Sequence, residues 1–532
     1  MTTPPTYLYP PTSNLLCRLM CILTLPAATC FGAQVHSNGM GGGRWSDPDT
    51  WHGAKLPTGN DDVVISMRDK VAFDLVGIEK PSCKGLYLDP EAVLTYHGKS
   101  GQLILAVNGP IESYGTIKID GSQWPDSSFE LRLVHAAGPA KLILLKNASL
   151  LAYGRKTHLD KPRNVLIRAI LDEDKHPPQP ASIIANDNAM LDLHFTELTD
   201  IVVQAKSLDN TGNQSNERLN IIANHFNGLA RLEIDNCDTP AITGNKFQTG
   251  KEKVNEPAVR IERCKLPEIR GNHLLGPYTT ALHLSENVDC SVIENTIIGS
   301  TACGITWANS INAMIRENRI ADCKTAMNIY GGTGVIENVH VKNATIGFHM
   351  SHKSDMQLTT CHVEDMPDGA SAIVLDNSTT LLLNCNITDD TILRQGPPPS
   401  TKPWVQSMQY VVVAIDGELP GGAWIELRTA EVSGGVPEGK NDLNVRNSPA
   451  QLRSNGLTPL AHTMDPLMVR SWHIGHDGKI VNAPFYDLLV LAPADAPQQP
   501  PRVLKSLLVE PNDRWFRSQL DDPTPTLQVT LP

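Results

Sequence analysis

The chain has 532 residues, of which 41% are hydrophobic and 19% charged, a composition that excludes a wholly disordered chain. Glycine and proline occur 39 times each and aromatic residues make up only 5%, which favours a turn-rich β protein over a helical one. The net charge of −12 argues against nucleic acid as the main partner, because a phosphate-binding domain usually carries a basic excess.

The chain begins with a segment, residues 1–33, that we interpret as a signal peptide. Arg18 is the only charged residue before Arg44, and the apolar stretch around it is too short and too interrupted to span a bilayer. Small residues between Ala27 and Ala33 suit a cleavage region. The sequence therefore predicts a secreted, periplasmic or cell-surface protein without a membrane span.

Residues 34–138 read as short strands separated by glycine turns. Trp45 and Trp51 flank an Asp-Pro step, and a Pro-x-Gly turn at Pro57 leads through two acidic residues into a Val-Val-Ile strand. Over residues 41–135 this pattern resembles the eight-glycine extracellular domain at the head of cell-surface hyaluronan-degrading proteins. We expect a β domain that caps the end of a β-helix, since an open end would expose strand edges and core.

A repeat follows, with asparagines spaced 21 to 27 residues apart. The five asparagines are Asn224, Asn245, Asn272, Asn295 and Asn318. A second phrase in each unit, such as Leu232-Glu233-Ile234, places apolar residues on both sides of a middle residue that is mostly polar, which is typical of a half-buried strand. Short strands at this spacing stack best as parallel coils about 4.8 Å apart, with the asparagines in a ladder at one turn.

From about residue 140 to 395 the repeat resembles the right-handed parallel β-helix family of extracellular proteins. That family includes pectate lyases, polygalacturonases, alginate-modifying epimerases, phage tailspikes and copper-site maturation proteins. We predict an all-β chain: the N-terminal β cap, a right-handed parallel β-helix at 139–395, a Pro-rich linker at 396–403, and an antiparallel β-sandwich at 404–532. The eight cysteines beyond the leader form no Cys-x-x-Cys pair, so we interpret them as small buried residues rather than zinc ligands.

Outward-facing side chains of stacked coils form straight columns. The column after the asparagines is mostly cationic or protonatable and supplies the predicted substrate-binding residues Lys246, His273, Arg319, His340 and His362. Such a strip suits a polyanionic chain, for example a uronate polysaccharide, through charge-assisted hydrogen bonds. A plain solvated surface is the competing interpretation, because these residue types are common on solvated faces.

The columns of the second phrase supply the predicted catalytic residues, namely Arg260, His283, Tyr330 and His349. Arg260 and His283 fall on adjacent coils, and so do Tyr330 and His349. In polysaccharide lyases of this fold, a basic side chain removes the proton α to a uronate carboxylate, and a cation or arginine neutralises that carboxylate. The resemblance implies these roles for either pair.

No cofactor and no metal site are predicted. The acidic calcium cluster of pectate lyases and the paired aspartates of polygalacturonases are not recognisable, so calcium has no motif to support it. His349 and His352 alone do not make a metal site.

These features predict a secreted or surface protein that binds an acidic extracellular polysaccharide along the outer face of the β-helix. Depolymerisation, by a polysaccharide lyase or a glycoside hydrolase, stays an open alternative, because a fold does not by itself fix a function. The other alternative is a non-catalytic structural or adhesion protein of the cell envelope. The oligomeric state is not predicted.

Overall fold

The computed structural model describes residues 33–77, 82–98, 101–124, 126–135, 139–170, 179–208, 219–250, 254–387 and 389–395, and a set of shorter stretches between 404 and 530. The predicted leader, up to residue 32, and the predicted linker at 396–403 lie outside the described residues. None of the described helices has the length and apolar character that a bilayer-spanning helix needs.

The chain winds through three long parallel sheets and visits them in the same order on each coil. The first sheet has 15 strands: Gln34–His36, Asp62–Ile65, Gly85–Leu88, Ile111–Ser113, Lys141–Leu144, Ala181–Asn186, Ile201–Lys206, Arg231–Asp235, Val259–Glu262, Thr280–Ser285, Cys303–Ala308, Thr325–Tyr330, Ile346–Ser351, Ser371–Asp376 and Ile392–Gln395.

The second sheet stacks in parallel beside it. Its strands are Gly42–Arg44, Lys70–Phe73, Val93–Tyr96, Thr116–Asp120, Ser149–Tyr153, Met190–His194, Leu219–Ile222, Ala241–Thr243, Glu268–Arg270, Ser291–Ile293, Ile311–Arg316, Thr333–Glu337, Asp355–Thr359, Thr379–Leu383 and Val405–Asp416.

The third sheet has 11 strands and begins later in the chain. They are Gly101–Val107, Ser127–Val134, Val165–Ile170, Thr196–Thr199, His225–Asn227, Lys246–Gln248, His273–Leu275, Thr296–Ile298, Arg319–Ala321, His340–Lys342 and His362–Glu364. The described helices are single 3₁₀ turns at Pro48–Thr50, His52–Ala54 and Asp389–Thr391. The predicted parallel β-helix is therefore confirmed.

Strand alternation builds the core between the three sheets. In Arg231–Asp235, Leu232 and Ile234 are buried while Glu233 faces outward. Phe226 and Phe247 stack on successive coils with ring centroids 4.3 Å apart. Burying a side chain of this size stabilises the fold by roughly 1.5–3 kcal/mol relative to leaving it exposed. Because each coil packs on the next, the core is stabilised by contacts between neighbouring coils.

The asparagine ladder is present as predicted, at the turn between the second and third sheets. All five asparagines are buried. Asn224 Nδ2 donates to Asn245 Oδ1 at 3.1 Å, and the next three links are 2.9, 2.9 and 3.0 Å long. From Asn245 onward, each Oδ1 also accepts from the backbone N–H of the preceding asparagine, so the side chains satisfy peptide groups where the chain bends.

Each of the eight cysteines in the described part of the chain is buried and carries a free thiol. Cys361 and Cys385 follow the asparagine ladder in the later coils, where the Cys361 backbone N–H lies 3.4 Å from Cys385 Sγ. Their interpretation as small buried residues is confirmed.

Residues 34–138 were expected as a cap domain, and their described strands form the first coils of the same ladders. Gln34–His36 pairs in parallel with Asp62–Ile65, and Ile111 pairs with Leu142 across the expected boundary at residue 138. Trp45 packs edge-on against Trp51, with ring centroids 5.0 Å apart, and closes this end of the core. Parallel pairing is therefore continuous from the first coils to Lys141–Leu144, and the division of the chain into domains at residue 138 stays a prediction.

At the other end, the second sheet continues directly into the C-terminal region. Val405–Asp416 pairs in parallel with Thr379–Leu383 and antiparallel with Leu467–Ile474. Leu467–Ile474 pairs further with Ile480–Asn482, and Val405–Asp416 also pairs with Ala461–Thr463 and Thr526–Thr530, with Arg453–Ser454 beyond. A separate antiparallel sheet has the order Ala450–Gln451, Trp424–Thr429, Tyr486–Ala492, Arg502–Val509. Antiparallel strands are present as predicted, and their assembly into a sandwich stays a prediction.

Candidate functional site

The third sheet carries the predicted basic strip as one in-register ladder. Lys246 pairs with His273, Arg319 with His340, and His340 with His362, while Thr296 occupies the coil between His273 and Arg319. The structure therefore confirms that these residues align in one column, as the repeat predicts. Its role in substrate binding stays a prediction.

Carboxylates accompany the cations of this strip. Arg319 and His340 line a cavity of about 330 Å³ that is also lined by Glu294 and Glu317. Arg270 forms a bidentate ion pair with Glu294, with hydrogen bonds of 3.2 and 3.1 Å. The strip is thus a mixed polar surface with local positive charge.

His340 and His362 stack on adjacent coils, with ring centroids 4.9 Å apart and planes 30° from parallel. Burial, followed by the neighbouring His340, lowers the pKa of His362. The folded protein therefore disfavours the protonated form of the His362 ring.

Arg260 and His283 are brought together on the first sheet, as predicted. Arg260 Nη2 lies 3.2 Å from Glu256 Oε2, and Glu262 Oε1 lies 3.8 Å from Arg260 Nη1 and 3.6 Å from His283 Nε2. Burial, followed by Arg260, lowers the pKa of His283, while Glu262 opposes that shift. The charge of Arg260 is already balanced by the protein's own carboxylates.

Tyr330 and His349 lie on adjacent coils but in different columns. Tyr330 pairs with Ser351 and stacks on the His352 ring at 3.7 Å, whereas His349 pairs with Asn328. Burial lowers the pKa of His349, and Asp376 opposes the shift. Tyr330 lies two coils beyond His283 and His349 lies three coils beyond it, about 10 Å and about 14 Å along the axis, so the four predicted catalytic residues do not form one constellation.

A different group of titratable side chains lies on the outer face of the second sheet, over three consecutive coils. We call Lys118, Asp120, Tyr153, Asp192 and His194 the second-sheet cluster. Asp120 pairs with Tyr153 and Tyr153 with His194 in the parallel register, which aligns them in one column. Lys118 and Asp192 belong to the neighbouring outward column, two residues along each strand.

Asp192 is the centre of the cluster and is only 8% exposed. The Tyr153 hydroxyl donates to Asp192 Oδ2 at 2.5 Å, and His194 Nε2 lies 2.7 Å from Asp192 Oδ1. The Tyr153 and His194 rings meet edge to face, 5.6 Å apart. The carboxylate thereby fixes the orientation of both neighbouring side chains.

The environment shifts the pKa values of Asp192 and Tyr153 in opposite directions. Burial alone would raise the pKa of Asp192, but the neighbouring His194 and the hydrogen bond from Tyr153 outweigh it, so the pKa is lowered. Burial raises the pKa of Tyr153, and the adjacent Asp192 and Asp120 charges raise it further. At neutral pH the site therefore holds an ionised carboxylate beside a protonated phenol.

A small cavity of about 170 Å³ adjoins the cluster at Asp120. Lys118, Asp120, Gln123 and the half-buried Trp124 line it, together with Thr95 and Tyr96. Lys118 Nζ lies 3.4 Å from Asp120 Oδ2, and Asp120 also accepts from the Ser122 hydroxyl at 2.6 Å. An aromatic wall, a cation and polar groups thus meet beside the acid–base cluster.

Sequence reasoning missed this cluster because its coils are irregular. Asp192 lies 39 residues after Tyr153, whereas the asparagine ladder advances by 21 to 27 residues. A signal was nevertheless present: Lys118-Ile119-Asp120 and Asp192-Leu193-His194 each place two polar side chains on the same face of a strand.

Fold and site together define a parallel β-solenoid that carries a titratable cluster on its outer face. The family described as "Periplasmic copper-binding protein (NosD)" matches residues 192–391, which is less than half of the chain. No curated protein sequence matches the chain.

Three solved structures resemble the chain at low identity and low TM-score. The periplasmic alginate epimerase AlgG is 11% identical, with 65% of this chain and 74% of that chain covered and a TM-score of 0.26. Tailspike protein 3 of bacteriophage CBA120 is 10% identical, with coverages of 65% and 56% and a TM-score of 0.30. The A-module of the Azotobacter vinelandii mannuronan C-5 epimerase AlgE4 is 10% identical, with coverages of 64% and 91% and a TM-score of 0.22.

The matching family's description names copper. Copper sites in proteins use clustered histidine, cysteine or methionine ligands. Within the described ranges, no group of three or more His, Cys, Asp or Glu side chains could hold a metal ion. We therefore derive no step through a metal.

Proposed function

We propose that this chain is a secreted or periplasmic protein that binds an acidic extracellular polysaccharide and transfers protons at the second-sheet cluster. The observation that carries this proposal is the Tyr153–Asp192–His194 arrangement beside the cavity that Lys118 lines. The leader-like segment and the match to a family described as periplasmic support the location.

The chemistry that suits the cluster is removal of the proton α to a uronate carboxylate, followed by β-elimination. His194 would act as the base: its Nε2 faces Asp192, which leaves Nδ1 to accept the proton. The electrons of the broken C–H bond move into the carboxylate, and Lys118 can stabilise that charge. They then form the C–C double bond as the glycosidic oxygen leaves with a proton from the Tyr153 hydroxyl.

An acidic substrate is supported by three separate features. Lys118 supplies a cation next to the cavity, with its side chain 41% exposed. The in-register strip on the third sheet adds histidine, lysine and arginine side chains. Residues 41–135 resemble a domain of hyaluronan-degrading proteins, and hyaluronan is itself a uronate polymer.

The test incubates the mature protein with polymannuronate, polygalacturonate, hyaluronan and neutral dextran. Chain length is followed by size-exclusion chromatography, unsaturated ends by ultraviolet absorbance, and α-proton removal by deuterium exchange in D₂O. We expect at least one uronate polymer, and not dextran, to react. Replacing a general acid or base costs roughly 10²–10⁴-fold in rate, so His194→Gln and Tyr153→Phe should each show a loss of that order.

The matched control is Lys141→Gln, which removes an exposed lysine from the first sheet. It should react like the wild type, whereas Lys118→Gln should weaken turnover of uronate polymers. Undiminished rates in both His194→Gln and Tyr153→Phe would move the chemistry away from this cluster. Binding of polymers with no reaction at all would favour the non-catalytic envelope protein.

A further inference from the structure

The loop at residues 154–164 leaves the second sheet directly after Tyr153 and lies against the outer face of the third sheet. Lys246 Nζ lies 3.7 Å from Asp160 Oδ1, and the Leu159 backbone supplies a hydrogen-bond acceptor to the His225 ring. Asn164 ties the end of the loop to the preceding coil by donating to Gly121 O at 2.8 Å. The loop therefore encloses part of the surface around His225 and Lys246.

Arg163 belongs to this loop and is only 5% exposed. Its Nη1 donates to Thr157 Oγ1 at 2.6 Å and to the Thr157 carbonyl at 3.2 Å. The guanidinium carbon lies 5.5 Å from the centre of the Phe195 ring. Among the residues that the structure describes, no atom accepts a hydrogen bond from Arg163 Nε or Nη2.

The two unpaired nitrogens are chemically distinctive. Nε and Nη2 lie along one edge of the guanidinium, where their N–H groups point in parallel and match the two oxygens of a carboxylate, sulfate or phosphate. Thr157 holds the opposite side of the group, so this edge is fixed in place. A buried cation with unused donors is costly unless an anion or water satisfies them.

Neighbouring groups bring both signs of charge. His225 is 8% exposed, and its Nε2 has no hydrogen-bond partner within the described ranges. Lys246 follows His225 in the ladder. Glu197 precedes His225, but its Oε1 accepts from Arg168 Nη2 at 2.9 Å. Burial lowers the pKa of Arg163, and Glu197 opposes that shift without accepting a hydrogen bond from Nε or Nη2.

We propose that Arg163 Nε and Nη2, with His225 Nε2 as a third donor when protonated, form an oxyanion-binding site beneath the loop at 154–164. The site takes one small group that presents two oxygens to the guanidinium edge: a carboxylate, a sulfate or a phosphate. The site lies beside Phe195, the residue that connects the strands Met190–His194 and Thr196–Thr199. It does not depend on the proton-transfer function, because it requires only binding.

The test is isothermal titration calorimetry on the full mature chain with three separate probes: D-glucuronate, inorganic sulfate and inorganic phosphate, at constant ionic strength. We expect at least one probe to bind. Arg163→Lys keeps a point charge but loses the fork, so affinity should fall about tenfold or more. Lys161→Gln removes an exposed charge from the same loop and should bind like the wild type.

The three probes also distinguish the sources of the anion. Binding of glucuronate alone assigns the site to a sugar carboxylate, and binding of sulfate or phosphate assigns it to an ester or free ion. If Arg163→Lys loses its fold by circular dichroism, Thr157→Val tests the same edge, because it removes the hydroxyl that anchors the guanidinium. The site is ruled out if the wild type binds no probe, or if the folded variants bind as tightly as the wild type.

Discussion

Tyr153 and Asp192 lie on adjacent coils of the second sheet, and the Tyr153 hydroxyl donates a 2.5 Å hydrogen bond to the Asp192 carboxylate. The two residues are 39 positions apart, so this contact exists only because the coils stack in register. Asp192 is almost fully buried and also contacts His194. The arrangement of the second-sheet cluster therefore depends on the correct stacking of these two coils.

Tyr153→Phe should destabilise the protein even without substrate. The change removes one donor from a buried carboxylate, and a hydrogen bond to a charged group contributes about 1.5–3 kcal/mol of unfolding free energy. The pKa of Asp192 should rise for the same reason, because the hydrogen bond from Tyr153 helps to lower it. Urea denaturation measures the first effect, and Tyr114→Phe, at an exposed tyrosine, is the control. Equal unfolding free energies for Tyr153→Phe and the control would show that the hydrogen bond contributes nothing.

The regular part of the fold could be predicted from the sequence because the asparagine ladder marks one turn of every coil. Asn224 to Asn318 advance in nearly constant steps, and each step carries one outward residue on the third sheet. Period-2 alternation then determines which side chains face outward. The columns that contain His273, Arg319 and His283 were correct for this reason.

Asn272→Ala should be far more damaging than its small change in volume suggests. Asn272 accepts from Asn245 N and Nδ2 and donates to Ile242 O and Asn295 Oδ1, all within 2.9 Å. Alanine leaves several buried polar groups without partners, at about 1–3 kcal/mol each. Thermal denaturation should show a large fall in Tm.

The matched control for that prediction is Asn328→Ala, because Asn328 faces outward on the first sheet. Such surface changes usually remain within about 0.5 kcal/mol. A Tm for Asn272→Ala equal to that of the control would mean that the ladder does not stabilise the turn.

The stacked histidines make the stability of the third sheet dependent on pH. Burial and His340 lower the pKa of His362, so the folded state favours its neutral ring. That contribution to stability is present above the ordinary pKa of 6.5 and is lost as the pH falls below it. His362→Gln should therefore lose less Tm than the wild type between roughly pH 7 and pH 5.

Thr296→Val provides the comparison for the histidine pair, since it changes the same ladder at a position that does not titrate. Its pH profile should run parallel to that of the wild type. Parallel profiles for all three proteins would show that the stack does not control the acid response.

The site was harder to predict than the fold because its coils are interrupted by long connections. The loop at 154–164 separates Tyr153 from the next strand, and nothing in the local pattern states that Tyr153 will align with His194. The strand register after such an insertion depends on how the loop packs. In this loop, Asn164 donates a hydrogen bond to Gly121 O. Alternation alone could place Asp192 and His194 on one face, but not beside Tyr153.

The first-sheet triad of Arg260, Glu262 and His283 offers a direct test of electrostatics within a column. Burial and Arg260 lower the pKa of His283, and Glu262, 3.6 Å from its Nε2, opposes them. Arg260→Gln should therefore raise the pKa of His283, because a nearby cation no longer disfavours the imidazolium. Glu262→Gln should lower it, because the stabilising carboxylate is gone. NMR titration of the imidazole resonances measures both shifts, with His283→Gln to assign the signal. Arg270→Gln, on the second sheet, should leave that titration unchanged, and a His283 signal equally insensitive to all three substitutions would contradict the assigned contacts.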